Sequence, residues 1–283
     1  MPLQKNGIAF ARLLDFQGLS APRITSAPMT DIVYNRDELI HKEKQQFYRH
    51  ARSCAIEISR YGPGLAAETI LTLWSNAQCP RLNCKDLTFS IKLANKPNIQ
   101  NFVAWLRELP MLDSAYWLSS AYAIWSGEDY RKNLAMFFTP SSITRRLLDD
   151  LEHAGVSFAD HSFFDPACGG AAFLAPIAER MRSALLAHGA TSRQILDEVE
   201  QRLGGVELDA VLCKMSRHFL RMVLAVEIAD AQFEPEFRIT QANSLTEMNI
   251  FAGTFDVVES PRVSWRLIGL SQATAVASSA SCL

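Results

Sequence analysis

The chain has 283 residues, with 28 lysines and arginines against 30 acidic residues, a formal charge of −2 and 48% hydrophobic residues. This composition excludes a disordered, collagen-like or strongly basic chain, and it excludes nucleic-acid binding by bulk charge though not by a local patch. No apolar run reaches the roughly 18 residues needed to cross a bilayer. The N-terminal MPLQKNGIAFARLLDF lacks the apolar core and small-residue cleavage site of a signal peptide, so a cytoplasmic protein with no membrane partner is expected. Cys54, Cys79, Cys84, Cys168, Cys213 and Cys282 are scattered along a chain long enough to build a core without staples, and they are read as reduced.

Residues 1–30 show little periodicity and read as a loose lead-in. From Asp37 to about Arg60 the chain is charged and helical until Tyr61-Gly62-Pro63-Gly64 breaks it. Residues 65–78 and 97–126 predict further helices, with Trp74, Trp105, Trp117 and Trp125 on their apolar faces and a loop from Cys79-Pro80 through Lys85. The tryptophans are read as core rather than as a base-stacking surface. Lys42, Lys44, Arg49 and Arg52 are interleaved with Glu38, Glu43 and Glu57, the pattern of a solvated helix face. No strand is expected before residue 160, so residues 1–130 read as an all-helical N-terminal domain.

The texture changes after Gly127. Ser141 to about His153 predicts an amphipathic helix, with Pro140 ahead of it and Gly155 beyond. Phe163-Phe164, Gly205–Leu208, Phe237–Gln241 and Phe255–Val258 read as strands. Helices are expected from Ala172 to about Ala187, Ser192 to about Arg202 and Ala210 to about Val226. This alternation predicts an α/β fold over residues 131–258, with a parallel sheet covered on both faces. Residues 259–283 carry no periodic pattern and end rich in Ser and Ala, an irregular tail.

The segment Phe164-Asp165-Pro166-Ala167-Cys168-Gly169-Gly170-Ala171-Ala172-Phe173-Leu174 reads as strand, glycine-containing turn, then helix. Such a turn sets backbone N–H groups at the carboxyl end of a strand, where open α/β sheets bind nucleotide-like ligands. By itself a Gly-Gly turn is a frequent false positive. Glu207 ends the next strand, where an acid can accept hydrogen bonds from ribose hydroxyls. The alternative for such an acid is a solvated residue at a helix N-terminus, which suits Asp209 better than Glu207. The third strand ends in Asn243-Ser244-Leu245, where a polar side chain can reach an adenine or simply cap a turn.

Asp165-Pro166-Ala167-Cys168-Gly169 followed by Phe173-Leu174 resembles the cofactor loop of the N6-adenine DNA methyltransferases, class I S-adenosylmethionine-dependent enzymes of the restriction–modification type. Phe137-Phe138-Thr139-Pro140 resembles that family's aromatic-aromatic-Thr-Pro motif, which precedes the loop as it does here. Glu207 matches the ribose-binding acid. Asn243-Ser244-Leu245 matches an Asp-Ser-Leu turn with Asn in place of Asp, and Phe255-Asp256-Val257-Val258 matches the strand leading to the catalytic motif. The resemblance spans residues 137–258, in family order. It implies a partial Rossmann-like methyltransferase sheet, about four of seven strands, and S-adenosyl-L-methionine held by Phe138, Thr139, Pro140, Asp165, Ala167, Gly169, Glu207 and Asn243. DNA is the implied partner.

Three departures qualify the resemblance. Ala171 stands where the family has a second glycine; if that position needs φ > 0, Ala is strained by about 1 kcal/mol or more. Asn243 keeps an acceptor but loses a charge. Most consequential, Val258-Glu259-Ser260-Pro261-Arg262-Val263 stands where the family carries Asn-Pro-Pro-aromatic, whose Asn accepts from the target amino group and whose aromatic stacks on the flipped base. No catalytic residue is therefore assigned. Codons for Glu259-Ser260-Pro261 exist that begin Asn-Pro-Pro when shifted by one base, so the tail is read as out-of-frame translation of a longer gene. A sheet ending at Phe255–Val258 is expected to leave an exposed apolar edge and an aggregation-prone product unless a partner completes it. The expected function is a truncated, inactive DNA methyltransferase. The alternatives are a non-enzymatic cofactor- or DNA-binding fragment that acts with a partner chain, and a protein or RNA methyltransferase. Cys79 and Cys84 lack a second ligand pair, so no metal is expected.

Overall fold

The computed structural model describes the backbone of residues 29–247, 255–260 and 263–267, and the side chains of residues 41–247 and 255–257. The expected lead-in up to residue 28 and the tail beyond 267 lie outside the described residues. The chain divides into two compact units, residues 1–44 and 45–283. Of the first, the described residues carry the opening of helix α1 (Met29–Ser53).

In the second unit, α1 is followed by α2 (Ala55–Tyr61), α3 (Pro63–Gln78), α4 (Ile91–Ala94), α5 (Pro97–Glu108), α6 (Met111–Trp125), α7 (Glu128–Asn133) and α8 (Ser141–His153). The helix expected over 37–60 is thus two, interrupted at Cys54. Gly62, at φ +85°, ends α2 and lets Pro63 open α3. The helix expected over 97–126 is also two. Pro110 has no N–H with which to continue α5, while its fixed φ suits the cap of α6. Ile99, Phe102, Val103 and Leu106 of α5 are buried at helical spacing on one face. Trp74 and Trp105 are buried, and Trp117 and Trp125 pack against the same core.

The sheet region runs β1 (Phe163–Asp165), α9 (Leu174–Ala187), α10 (Ser192–Arg202), β2 (Leu203–Glu207), α11 (Ala210–Val223), α12 (Ala225–Ala231), β3 (Arg238–Gln241), α13 (Ser244–Glu247), β4 (Val257–Ser260) and β5 (Val263–Leu267). Thr191 and Gln194 form a reciprocal capping box on α10, which fixes where that helix starts. The long helix expected from Ala210 stops at Val223, because Leu224 leaves helical geometry at ψ +19° before α12 begins.

The strand order is β3-β2-β1-β4-β5. β1 pairs in parallel with β2 and with β4, and β2 pairs in parallel with β3. β5 pairs antiparallel with β4 and lies in the segment expected to be irregular, so the apolar edge expected at Phe255–Val258 is paired instead. Helices α9, α10 and α11 pack on the sheet, and α9 packs against both α10 and α11. The opposite face carries a separate buried cluster of Phe164, Val206, Ala242 and Phe255, with the Phe164 and Phe255 rings stacked 5.0 Å apart. Among the described residues the helices therefore cover one face of the sheet, where both were expected to be covered.

One core cluster runs from Phe47 to Val257 and includes residues of both the helical region and the sheet. The Trp74 ring of α3 meets Phe219 of α11 edge-on at 6.1 Å. This shared core brings α6 up against the loop that follows β1.

Candidate functional site

β2 and β3 lie on one side of β1 and β4 on the other, so the strand order reverses beside β1. Open α/β sheets have a crevice at the carboxyl ends of the strands at such a reversal. The register aligns those ends: Asp165 stands opposite Gly205, and Glu207 opposite Gln241.

The chain leaves β1 through a turn that rests on β2. Asp165 is buried, and its Oδ1 accepts from the Ala167 N–H at 2.9 Å. The Cys168 N–H donates to the Val206 carbonyl at 3.0 Å, and the Ala171 N–H to the Cys168 carbonyl at 2.9 Å. Gly169, at φ +53°, donates its N–H to Glu207 Oε2 at 2.9 Å, and its carbonyl accepts from Ser216 Oγ of α11 at 2.5 Å. A Cβ on Gly169 would lie 2.8 Å from Cε1 of Phe138, and one on Gly170 would lie 1.9 Å from Ser119 Oγ of α6. Ala171 sits at φ +58°, the left-handed geometry that the second glycine of the resembling loop would supply. Cys168 is buried in the core, and burial pushes its thiol well above its ordinary range.

Glu207 is held from two sides. Its Oε1 accepts from the Asp209 N–H at 2.8 Å while Oε2 takes the Gly169 N–H. Burial pushes its carboxyl above the ordinary range, and the backbone N–H groups of Asp209 and Gly169 pull the other way. Each carboxylate oxygen carries a second lone pair that can accept a further hydrogen bond. Beyond β3, the Ala242 N–H donates to the Glu207 carbonyl at 3.1 Å, tying the next turn to the acid. Asn243 Oδ1 accepts from the Leu245 N–H at 3.0 Å, so this side chain closes its own turn. Leu208 and Leu245 present apolar side chains that are 46% and 91% exposed.

Phe137 is exposed beneath the Arg131 guanidinium, 5.5 Å from its ring centroid, whereas Phe138 turns inward against Gly169. Thr139 lines a narrow cleft with Ala115, Tyr116, Gly170, Ala171 and Pro176. The Pro140 carbonyl accepts from the N–H groups of Ile143 and Thr144 at 3.0 and 3.1 Å and opens α8. Phe138, Thr139, Asp165, Ala167, Gly169 and Glu207 thus meet around one loop. Pro140 shapes the start of a helix, and Asn243 is linked to Glu207 through the backbone of Ala242.

Several residues that complete the arrangement gave no usable signal in the sequence. Asp209 is legible only as a helix cap, and its Oδ1 does accept from the Leu212 N–H at 2.8 Å. Its Oδ2 also accepts from the hydroxyls of Tyr122 and Tyr130, each at 2.8 Å. Among the described residues, no group of three or more His, Cys, Asp or Glu is placed to hold a metal ion.

No family profile matches the chain, and no curated protein matches it. Among solved structures, a chain of a DrdV–DNA complex determined by cryo-EM is similar at 12% identity and a TM-score of 0.39, over 78% of this chain. This chain spans 26% of that neighbour's length.

Proposed function

We propose that this chain binds S-adenosylmethionine at the carboxyl ends of β1 and β2, as the cofactor-binding part of a methyltransferase directed at the N6 amino group of adenine in DNA. The observation that carries the reading is the Gly169–Ala171 loop at the strand-order reversal, with Glu207 fixed against it by two backbone N–H groups. The donor set suits a nucleoside: a partly buried carboxylate with lone pairs to spare for ribose hydroxyls, and the exposed Leu208 beside it for the face of a purine. Asn243, just past β3, stands at the purine end. Thr139, Gly170 and Ala171 line a narrow cleft beside the same loop. When bound, S-adenosylmethionine supplies an electrophilic methyl group on a sulfonium. The chain's own residues bind and orient it.

The choice of adenine in DNA rests on Phe137-Phe138-Thr139-Pro140 together with the Asp165–Gly169 turn, which resemble the DNA enzymes rather than protein or RNA methyltransferases. A second reading is favoured by the segment after β4. There Ser260 pairs antiparallel with Val263, and Glu259-Ser260-Pro261-Arg262-Val263 stands where the resembling enzymes carry Asn-Pro-Pro-aromatic. On that reading the chain binds cofactor or DNA and a partner chain supplies the base-binding residues.

Equilibrium dialysis with labelled S-adenosylmethionine tests the proposal. Retention by the full chain, weakened but still measurable in Glu207→Gln, supports it, and absence of retention overturns it. Methyl transfer to DNA by the full chain alone would overturn the second reading.

A further inference from the structure

Asp209 joins the helical region to the acid of the proposed site. It is 3% exposed, and both carboxylate oxygens are engaged, Oδ1 by the Leu212 N–H and Oδ2 by two tyrosine hydroxyls. Tyr122 reaches it from α6, 87 positions away in sequence, and Tyr130 from α7, 79 positions away. The backbone N–H of the same residue donates to Glu207 Oε1 at 2.8 Å. A charge-assisted hydrogen bond is among the stronger ones a side chain makes. Two of them on one oxygen fix where Asp209 sits, and therefore where its N–H points. One turn earlier on α6, Ser119 abuts Gly170, close enough that no Cβ fits between them. Residues 119 and 122 share a helix face. The same face of α6 therefore props the loop through Gly170 and the acid through Asp209.

We propose that Tyr122 and Tyr130 are positioning residues for Glu207: through Asp209 they set the acid that receives the ribose, and so make cofactor affinity depend on the packing of α6 and α7. This rests on the nucleoside-binding reading of the site. Neither tyrosine is proposed to touch the cofactor.

Tyr130→Phe is the first variant, because Tyr130 is 45% exposed and loses only a hydroxyl. Tyr122→Phe is the second. S-adenosylhomocysteine binding to the full chain is measured by calorimetry in the wild type, each variant, Glu207→Gln and the double variants. Each Tyr→Phe change is expected to weaken binding about five-fold, the scale of one lost hydrogen bond. Neither is expected to weaken it further in the Glu207→Gln background, because the effect runs through that carboxylate. Equal losses in both backgrounds would overturn the proposal. The second readout needs no ligand. NMR titration of the Glu207 carboxyl is expected to show a higher midpoint in Tyr130→Phe, since Asp209 loses a donor and its charge bears harder on Glu207. An unchanged midpoint in both tyrosine variants would overturn the positioning role. If the wild type fails to bind S-adenosylhomocysteine while the midpoint moves, the functional reading falls and the coupling stands.

Discussion

Gly170→Ala isolates one contact that the account depends on. Gly170 lies outside the positive-φ region, so alanine meets no backbone penalty there. By itself the change would stabilise the fold by about 0.4–1 kcal/mol, through a less flexible unfolded chain. The obstacle is space. The new Cβ would lie 1.9 Å from Ser119 Oγ and 2.7 Å from Ser119 Cβ. Ser119 is buried, and its hydroxyl is already committed to the Ala115 carbonyl at 2.8 Å. Relief requires the loop to move off α6, an overpacking cost of about 3 kcal/mol. The net loss is about 2 kcal/mol, a fall in melting temperature of roughly 4–8 °C for a chain of this size. Ser119→Ala removes only the oxygen and should rescue in part. Ser119→Gly removes both atoms at a helix-interior cost of about 1 kcal/mol, so the double variant should be more stable than Gly170→Ala alone. Thermal unfolding of wild type, Gly170→Ala, the two Ser119 single variants and the two double variants reads this directly. A Gly170→Ala protein as stable as wild type, or simple addition of the two single losses, would refute the placement of α6 against the loop.

Other consequences follow from the same geometry. Ala171→Gly should leave stability within about 0.5 kcal/mol of wild type: relief of left-handed strain gains about 1–2 kcal/mol, while the flexible unfolded chain and the lost methyl burial together cost about as much. A change beyond about 1 kcal/mol by denaturant melt would contradict that balance. Asp209→Ala removes a helix cap and strands the buried Tyr122 hydroxyl, and should cost about 3 kcal/mol by the same melt; a loss of a few tenths would show that the network is slack. The carboxyl of Glu207 is raised on folding, so its contribution to stability is full below the unfolded value of about 4.3 and is lost as pH rises through the folded midpoint. The stability of wild type minus that of Glu207→Gln should therefore fall with rising pH over that window, and a rise would reverse the assigned sign. Burial raises the Cys54 and Cys213 thiols to about 12 and the Cys168 thiol well above its ordinary range. Disulfide-exchange labelling at pH 8 should be slow at these three in the native chain and fast after unfolding.

The parts of this structure that were legible in the sequence are the local ones. The strand, turn and helix around Asp165–Leu174, the amphipathic Ser141–His153 helix and the Ser192–Arg202 helix each carry their own signals: a glycine turn, a proline at the start, a capping pair. The positive φ at position 171 could be anticipated because the resembling loop has glycine there. Breaks inside helices were missed at Cys54 and Leu224, which no glycine or proline marks, and also between α5 and α6, where Pro110 does mark the break. β5 was missed because Val263–Leu267 is a short run with no turn residue beyond Pro261-Arg262 to announce it. The two tyrosines on Asp209 were beyond reach for a different reason. Nothing in a tyrosine's neighbours on a helix says which carboxylate, some 80 positions away, its hydroxyl will find.

Ligand discrimination tests the central claim most directly. The switch-point loop and Glu207 would serve several adenine nucleotides, whereas the resemblance to methyltransferases selects one. The full chain is melted with S-adenosylhomocysteine and, in parallel, with NAD and ATP. At about one hundred times the dissociation constant, a bound ligand adds about 2.7 kcal/mol to the native state. A shift is expected with S-adenosylhomocysteine alone, and a smaller one in Glu207→Gln. A shift with NAD or ATP and none with S-adenosylhomocysteine, or no shift with any of the three, would contradict it.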